Sequence, residues 1–203
     1  MNRLVAFGDS ITFGYALDDN IDTPTVPSIY SWPSVLAKTL QVDLKNCGVP
    51  GASNKEIWHN IVNFEYQDND FVIVNWNTAH RFCFFNNDNT VKIGMSTRYA
   101  NKKLTDIFYE NFYSDIDLKI DNQLRISHCA FFLDTIGIKN YHSFTTVKDF
   151  EMKDWMQNIT TVGGNMFKFR ETDKALDGTH PGKQAQILYA ETIHKDLKET
   201  IWK

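Results

Sequence analysis

Short apolar runs alternate along this chain with stretches of helical periodicity. Residues 4–7 and 71–74 are almost continuously apolar, which is typical of strands covered on both faces in a parallel sheet. Between them, Trp32, Leu36 and Leu40 recur every four residues and mark one apolar face of a helix. Alternation of strands with helices predicts a doubly wound parallel sheet.

The same pattern predicts the bounds of the individual elements. Strands are expected at 3–7, 41–47, 70–76, within 138–147 and at 166–169. Helices are expected at 31–40, 53–64, 96–113, 114–134 and 182–201. Residues 77–89 are predicted to form a loop, and 149–157 a short helix or a loop.

Composition indicates one folded domain without a nucleic acid partner. The chain has 203 residues, of which 42% are hydrophobic, enough for one domain with a sizeable core. Its net charge is -4 and it contains no run of Lys or Arg, so a nucleic acid partner is not expected. Most of the aromatic side chains are expected to fill the core.

Cysteine usage and hydropathy indicate a compartment. Cys47, Cys83 and Cys129 are an odd number, and no two lie close enough for a metal or redox motif. They are therefore expected to be buried free thiols in a reducing environment. Because residues 1–9 do not resemble a signal peptide and no segment is long enough to span a bilayer, a cytoplasmic protein is predicted.

A Gly-Asp-Ser turn at 8–10 directly follows the first predicted strand. In open α/β sheets, ligands bind just beyond the carboxyl ends of the strands, and Ser10 falls at that place. A lone serine there is more often a helix N-cap than a nucleophile. A second motif is needed to decide between the two roles.

That second motif lies at the other end of the chain, where Asp177 and His180 are three residues apart. A serine hydroxyl becomes a good nucleophile when a base takes its proton, and a third group that fixes the tautomer helps the base. Taken singly, Asp177 would be a helix N-cap and His180 a surface side chain. Together with Ser10, they favour a catalytic triad.

These motifs identify a resemblance to a known family. Gly-Asp-Ser-Ile at 8–11, followed by Thr-Phe-Gly, and Asp177-x-x-His180-Pro181 resemble the SGNH/GDSL hydrolases. The resemblance covers nearly the whole chain. It implies one domain over 1–203 with a flavodoxin-like, three-layer α/β/α fold and about five parallel strands. It also implies esterase or acyl-hydrolase activity through an acyl-enzyme intermediate.

The resemblance implies three donors in an oxyanion hole. The first is the backbone N–H of Ser10. The second is a glycine N–H after the second strand, which Gly51 matches best, although the turn's backbone angles alone could require glycine there. The third should be the Asn of a Gly-x-Asn-Asp motif after the third strand. This sequence departs from that motif, because Asn77 takes the Gly position and Ala79 the Asn position.

Three interpretations of this departure stay open. Asn77, two residues before Ala79 and on the same side of a strand, could take over the donor role, or it could be an ordinary residue of a strand-end turn. Alternatively, His80 or Arg81 could face the site and supply charge. The third interpretation is a hole with two donors and a weak enzyme.

Other side chains near the motifs form a predicted substrate-binding set. It consists of Asp9, which also suits a hydrogen bond within the turn, together with Tyr15, Trp76, His80 and Arg81. No residues have the spacing of a zinc or calcium site and no glycine-rich phosphate loop is present, so no cofactor is expected.

The favoured prediction is a serine esterase that removes a short acyl group, such as acetyl, from a small-molecule or carbohydrate ester. A lipase or thioesterase is the alternative within that class. The departure at Ala79 motivates a different alternative, a weak or inactive binding module for a glycan or a protein. The oligomeric state is not predicted.

Overall fold

A parallel sheet organises the chain. The computed structural model describes residues 2–20, 25–86, 89–93, 101–146 and 159–201. The strands are β1 Arg3–Gly8, β2 Asp43–Gly48, β3 Asp70–Trp76, β4 Phe82–Asn86, β5 Asn89–Ile93, β6 Lys139–Phe144 and β7 Thr161–Asn165. Five of them form a sheet of order β2-β1-β3-β6-β7 in which all neighbours are parallel. The other two, β4 and β5, pair with each other as an antiparallel hairpin.

The helices lie on both faces of the sheet. They are α1 Ser10–Phe13, α2 Trp32–Leu40, α3 Asn54–Val62, α4 Lys102–Asn111, α5 Asp115–Thr135, α6 Phe167–Arg170 and α7 Lys183–Ile201. Among the described residues, none of these helices combines the length and the apolar character that crossing a membrane requires.

Alternation along β1 shows how the layers are built. Val5 and Phe7 belong to one apolar cluster, which also contains buried residues of α3 and α5. Leu4 and Ala6 belong to a second cluster, which contains buried residues of α2 and α7. Successive strand residues point to opposite faces, so β1 is covered on both sides. The predicted three-layer α/β/α architecture is thereby confirmed.

Two local predictions are wrong. The fifth strand lies at Thr161–Asn165, whereas 166–169 holds the start of the one-turn helix α6. The predicted loop at 77–89 contains β4 and the first residue of its partner β5. The predicted short helix or loop at 149–157 lies outside the described residues, as do positions 96–100 of the helix predicted from residue 96.

Candidate active site

Ser10 begins a one-turn helix at the carboxyl end of β1. Asp9 is the N-cap, and its Oδ1 accepts the N–H of Ile11 at 2.9 Å. Gly14 ends the helix with φ 77, in the left-handed region that glycine tolerates best. The turn thus fixes the nucleophile candidate at the edge of the sheet where ligands bind in this class of fold.

A close approach of backbone to backbone keeps this helix in place. A Cβ atom added at Gly48, the last residue of β2, would lie 2.5 Å from the backbone nitrogen of Phe13. Asn46 strengthens the contact, since its Nδ2 donates to the carbonyl oxygen of Thr12 at 2.8 Å. The end of β2 therefore supports α1 directly.

The loop before α7 carries the other two members of the predicted triad. Oδ1 of Asp177 accepts the backbone N–H groups of Thr179 at 2.9 Å and of His180 at 3.0 Å. Its Oδ2 lies 2.6 Å from Nδ1 of His180. On the far side of the ring, Nε2 of His180 lies 2.9 Å from Oγ of Ser10. The fold therefore brings the three side chains into one hydrogen-bonded chain.

The electrostatics of the loop favour an ionised carboxylate. Partial burial opposes the charge on Asp177, but hydrogen bonds from the backbone N–H groups of His180 and Thr179 and from the His180 ring outweigh it. They lower the pKa of the carboxyl to about 2. A carboxylate that stays charged at neutral pH keeps the proton of a neutral imidazole on Nδ1, which leaves Nε2 free to accept the proton of Ser10.

A cleft of about 330 Å³ opens over Ser10 and His180. Its lining includes residues that follow β1, β3 and β6, namely Asp9, Ser10, Ile11, Asn77, Thr78, Arg81 and Thr145. The other lining residues come from the C-terminal part of the chain and are Phe167, Arg170, Thr179, His180 and Pro181. The sequence analysis missed several of these residues, although the position of Thr145, directly after a sheet strand, is a usable signal.

Asn77 lines the cleft but does not have the predicted geometry. Its Nδ2 donates to Oδ2 of Asp9 at 2.8 Å and to the carbonyl oxygen of Ala52 at 3.0 Å. Because both amide hydrogens are engaged, none remains for an oxyanion. Asn77 instead holds the N-cap carboxylate of α1, while Ala79 is buried and offers no side-chain donor.

Both interpretations of Gly51 stay open, as an oxyanion donor and as a glycine that the turn requires. Its φ is 75, so the backbone conformation alone favours glycine at this position. Its role as an oxyanion donor, like that of the Ser10 N–H, stays a prediction.

The predicted substrate-binding set divides into two groups. Asp9 and Arg81 line the cleft, as expected, and Nη1 of Arg81 donates to Oδ2 of Asp9 at 2.9 Å. Trp76 is a correction, because it is fully buried and its Nε1 donates to Nδ1 of His142 at 2.9 Å inside the core. A side chain enclosed in this way cannot touch a substrate.

His80 and Tyr15 also lie outside the described lining of the cleft. Nδ1 of His80 lies 2.9 Å from the hydroxyl oxygen of Tyr113 and 3.9 Å from a carboxylate oxygen of Asp115, at the start of α5. The ring centroid of Tyr15 lies 5.2 Å from that of His180. Tyr15 therefore contacts the proposed base, and the prediction of direct substrate contact is not supported for either residue.

Comparisons by sequence give no relatives, since no family model and no curated protein matches the chain. Solved structures do match. A structure described as a lipolytic protein of the G-D-S-L family from Desulfitobacterium hafniense has a TM-score of 0.57 at 17% identity, and the match covers 97% of this chain and 100% of that one.

Two solved structures described as esterases match this chain with similar TM-scores. The psychrotrophic esterase EstA from a Pseudoalteromonas species has a TM-score of 0.60 at 10% identity, over 100% of both chains. An acetyl xylan esterase from the rumen bacterium Butyrivibrio proteoclasticus has a TM-score of 0.57 at 14% identity, over 99% of this chain and 64% of that one. At such identities the likeness concerns the fold, and this chain has the α/β fold of the SGNH/GDSL hydrolases.

Proposed function

We propose that this protein is a serine esterase that uses Ser10 as nucleophile, His180 as general base and Asp177 as the orienting carboxylate. The observation that supports the proposal is the continuous hydrogen-bonded chain from the Ser10 hydroxyl through the imidazole to the carboxylate. A structural serine cap would not need this arrangement, because Asp9 already caps α1.

The geometry fits acyl transfer in two steps. Oγ of Ser10 attacks the ester carbonyl carbon while Nε2 of His180 takes the hydroxyl proton, giving a tetrahedral intermediate. As the bond to the alcohol breaks, His180 returns that proton to the leaving oxygen and an acyl-enzyme remains. Water, deprotonated by His180, then attacks the acyl-enzyme, and the acid leaves as Ser10 regains its proton.

The charge that develops on the carbonyl oxygen requires donors. The backbone N–H groups of Ser10 and Gly51 are the proposed pair. Removal of one such donor typically lowers kcat by about 10²–10³-fold, so a hole with a missing third donor would give a weak enzyme unless another group replaces it.

We propose a short acyl group such as acetyl, carried by a carbohydrate or another small polar alcohol. The cleft of about 330 Å³ supports this choice because Thr78, Arg81, Thr145 and Arg170 line it. Hydroxyl and guanidinium groups suit hydrogen bonds to a sugar better than contact with a long alkyl chain. The resemblance in fold to an acetyl xylan esterase points the same way. A series of nitrophenyl esters of increasing chain length distinguishes this proposal from a lipase or thioesterase.

A non-catalytic binding module on the same fold is the second candidate. Two observations favour it: Ala79 has no donor, and both amide hydrogens of Asn77 are engaged. Such a module would bind a glycan or a protein without turning over esters.

Hydrolysis of p-nitrophenyl acetate separates the two candidates. We expect Ser10→Ala to abolish turnover and leave the melting curve nearly unchanged. Ser127→Ala is the matched control, since this hydroxyl on α5 is buried without a partner among the described residues. Turnover in Ser10→Ala equal to that of wild type would remove Ser10 from the mechanism.

A further inference from the structure

The cleft contains a charged donor that the predicted oxyanion hole does not use. Ala79 stands where the SGNH/GDSL pattern has Asn, and the amide of Asn77 is engaged by Asp9 and Ala52. Arg81, two residues after Ala79, lines the same cleft as Ser10. We propose that the Arg81 guanidinium replaces the missing amide and stabilises the oxyanion formed when Ser10 attacks the ester; the inference rests on the proposed function.

Arg81 is held on one edge and unpaired on another. Its side chain is 18% exposed, and Nη1 donates to Oδ2 of Asp9 at 2.9 Å. Nε is buried and has no hydrogen-bond partner within the described part of the chain. Because Nε is enclosed, an oxygen atom in the cleft would meet the exposed part of the guanidinium instead. The unpaired Nε shows that the ion pair with Asp9 is not a bidentate one.

Arg3 shows what a structural arginine looks like in this protein. Its Nε and Nη2 donate to the two carboxylate oxygens of Asp70 at 2.8 and 2.6 Å. Arg81 instead donates to Asp9 through Nη1, and its side chain lines the cleft. The exposed part of its guanidinium is therefore available for an oxygen atom in the cleft.

Asp9 couples the position of Arg81 to that of the nucleophile. Oδ2 of Asp9 accepts from both Arg81 and Asn77, while Oδ1 caps the helix that begins at Ser10. One carboxylate thus fixes the guanidinium and the nucleophile's helix at the same time. Donors fixed before the reaction need no reorganisation as charge develops, which is the basis of oxyanion stabilisation.

Removal of Arg81 leaves the Asp9 carboxylate with two other donors, the N–H of Ile11 and the amide of Asn77, so the test can use the wild-type background. We compare wild type with Arg81→Met, whose side chain is of similar length but has no donor, on p-nitrophenyl acetate, a neutral ester. The proposal predicts a fall in kcat of about 100-fold or more with KM changed by less than about threefold, because the donor acts in the transition state.

Two further measurements distinguish direct contact from support of the fold. Arg81→Ala should regain part of its kcat when guanidinium is added at concentrations well below those that unfold the protein. Arg81→Lys, which keeps the charge but loses the fork, should fall between wild type and Arg81→Ala. A variant with a normal melting curve and no rescue would assign Arg81 a positioning role and overturn the proposal.

The remaining outcomes are also decisive. A change confined to KM, and only for esters that carry a negative charge, would mean that Arg81 binds an anionic substrate in the ground state and would overturn the proposal. Unchanged kcat in the Arg81 variants of an active enzyme would overturn the Arg81 assignment alone. A wild-type protein no more active than Ser10→Ala would overturn the proposed esterase itself.

Discussion

Oγ of Ser10 lies 2.9 Å from Nε2 of His180, although 170 positions of sequence separate the two residues. Ser10 follows the first strand, whereas His180 precedes the last helix. The contact forms only when both ends of the chain are packed against the same edge of the sheet. The integrity of the site should therefore respond to the contacts that fix α7 relative to α1.

Gln186 makes such contacts. The side chain is buried; its Oε1 accepts the N–H of Trp32 at 2.9 Å, and its Nε2 donates to the carbonyl oxygen of Ile11 at 3.2 Å. Gln186→Ala leaves the N–H of Trp32 without this acceptor, whereas the carbonyl oxygen of Ile11 still accepts the N–H of Gly14 at 3.2 Å. We expect urea unfolding to show a loss of about 1–3 kcal/mol, the cost of one buried group left unsatisfied, accompanied by a lower kcat.

Gln184→Ala is the matched control for that experiment, because Gln184 is exposed on the same helix. We expect it to change the free energy of unfolding by less than about 0.5 kcal/mol. Equal effects of the two substitutions would show that Gln186 does not anchor the helix of the nucleophile.

Asp177→Asn tests the orientation of the base. The asparagine oxygen can still accept the backbone N–H groups of Thr179 and His180, as Oδ1 of Asp177 does now. The new NH₂ group, however, faces Nδ1 of His180 and favours the tautomer with the proton on Nε2, which cannot accept from Ser10. We expect kcat to fall by about 10⁴-fold, as in serine-protease triads, with little change in the melting curve.

Steady-state hydrolysis of p-nitrophenyl acetate measures this effect. Glu191→Gln, which removes an exposed carboxylate from α7, controls for a general loss of negative charge. Activity of Asp177→Asn within a few fold of the control would mean that Asp177 does not orient the base.

His142 should make the stability of the protein depend on pH. Its ring is fully buried, and burial lowers its pKa to about 3 from an ordinary 6.5. Nδ1 accepts the indole N–H of Trp76, which also requires the neutral ring. Between pH 6.5 and 3 the unfolded chain binds a proton that the folded protein does not, so acid destabilises the fold. The stability that the neutral ring of His142 contributes is fully present above pH 6.5.

Urea unfolding at several pH values measures the effect. One such group contributes a slope approaching about 1.4 kcal/mol per pH unit within that window. We expect His142→Gln to be less stable than wild type at pH 7 but to lose less stability on acidification. His128→Gln is the control, since His128 is exposed and accepts from Trp58 with the same 2.9 Å distance. Equal slopes for wild type and both variants would contradict the role of His142.

The sequence predicted those parts of the fold whose signal is local. The apolar runs at 4–7 and 71–74 identified the central strands, because burial on both faces demands apolar residues. The last strand, Thr161–Asn165, was missed since Val162 is its one apolar side chain and two glycines with positive φ follow it. The adjacent Met, Phe and Phe at 166, 167 and 169 form a more apolar run, although Phe167 begins a helix.

The candidate site also contains residues whose geometry the sequence predicted and residues whose geometry it did not. The placement of Asp177 and His180 could be predicted because three residues of spacing already bring carboxylate and imidazole together. The geometry of Asn77 could not, since its amide is engaged by Asp9 and Ala52, which lie 68 and 25 positions away. Trp76 was assigned to the substrate because it ends a strand, but its partner His142 lies on the neighbouring strand. Such contacts between distant positions become visible only in the folded chain.

Covalent labelling of Ser10 tests the central claim most directly. A fluorophosphonate reacts with a serine hydroxyl that a neighbouring base activates, and mass spectrometry of the intact protein and its peptides locates the adduct. We predict one adduct on Ser10 in wild type, none in Ser10→Ala, and strongly slowed labelling in His180→Ala. A folded wild-type protein that stays unlabelled, or that is labelled equally fast in His180→Ala, would contradict a nucleophile activated by the histidine.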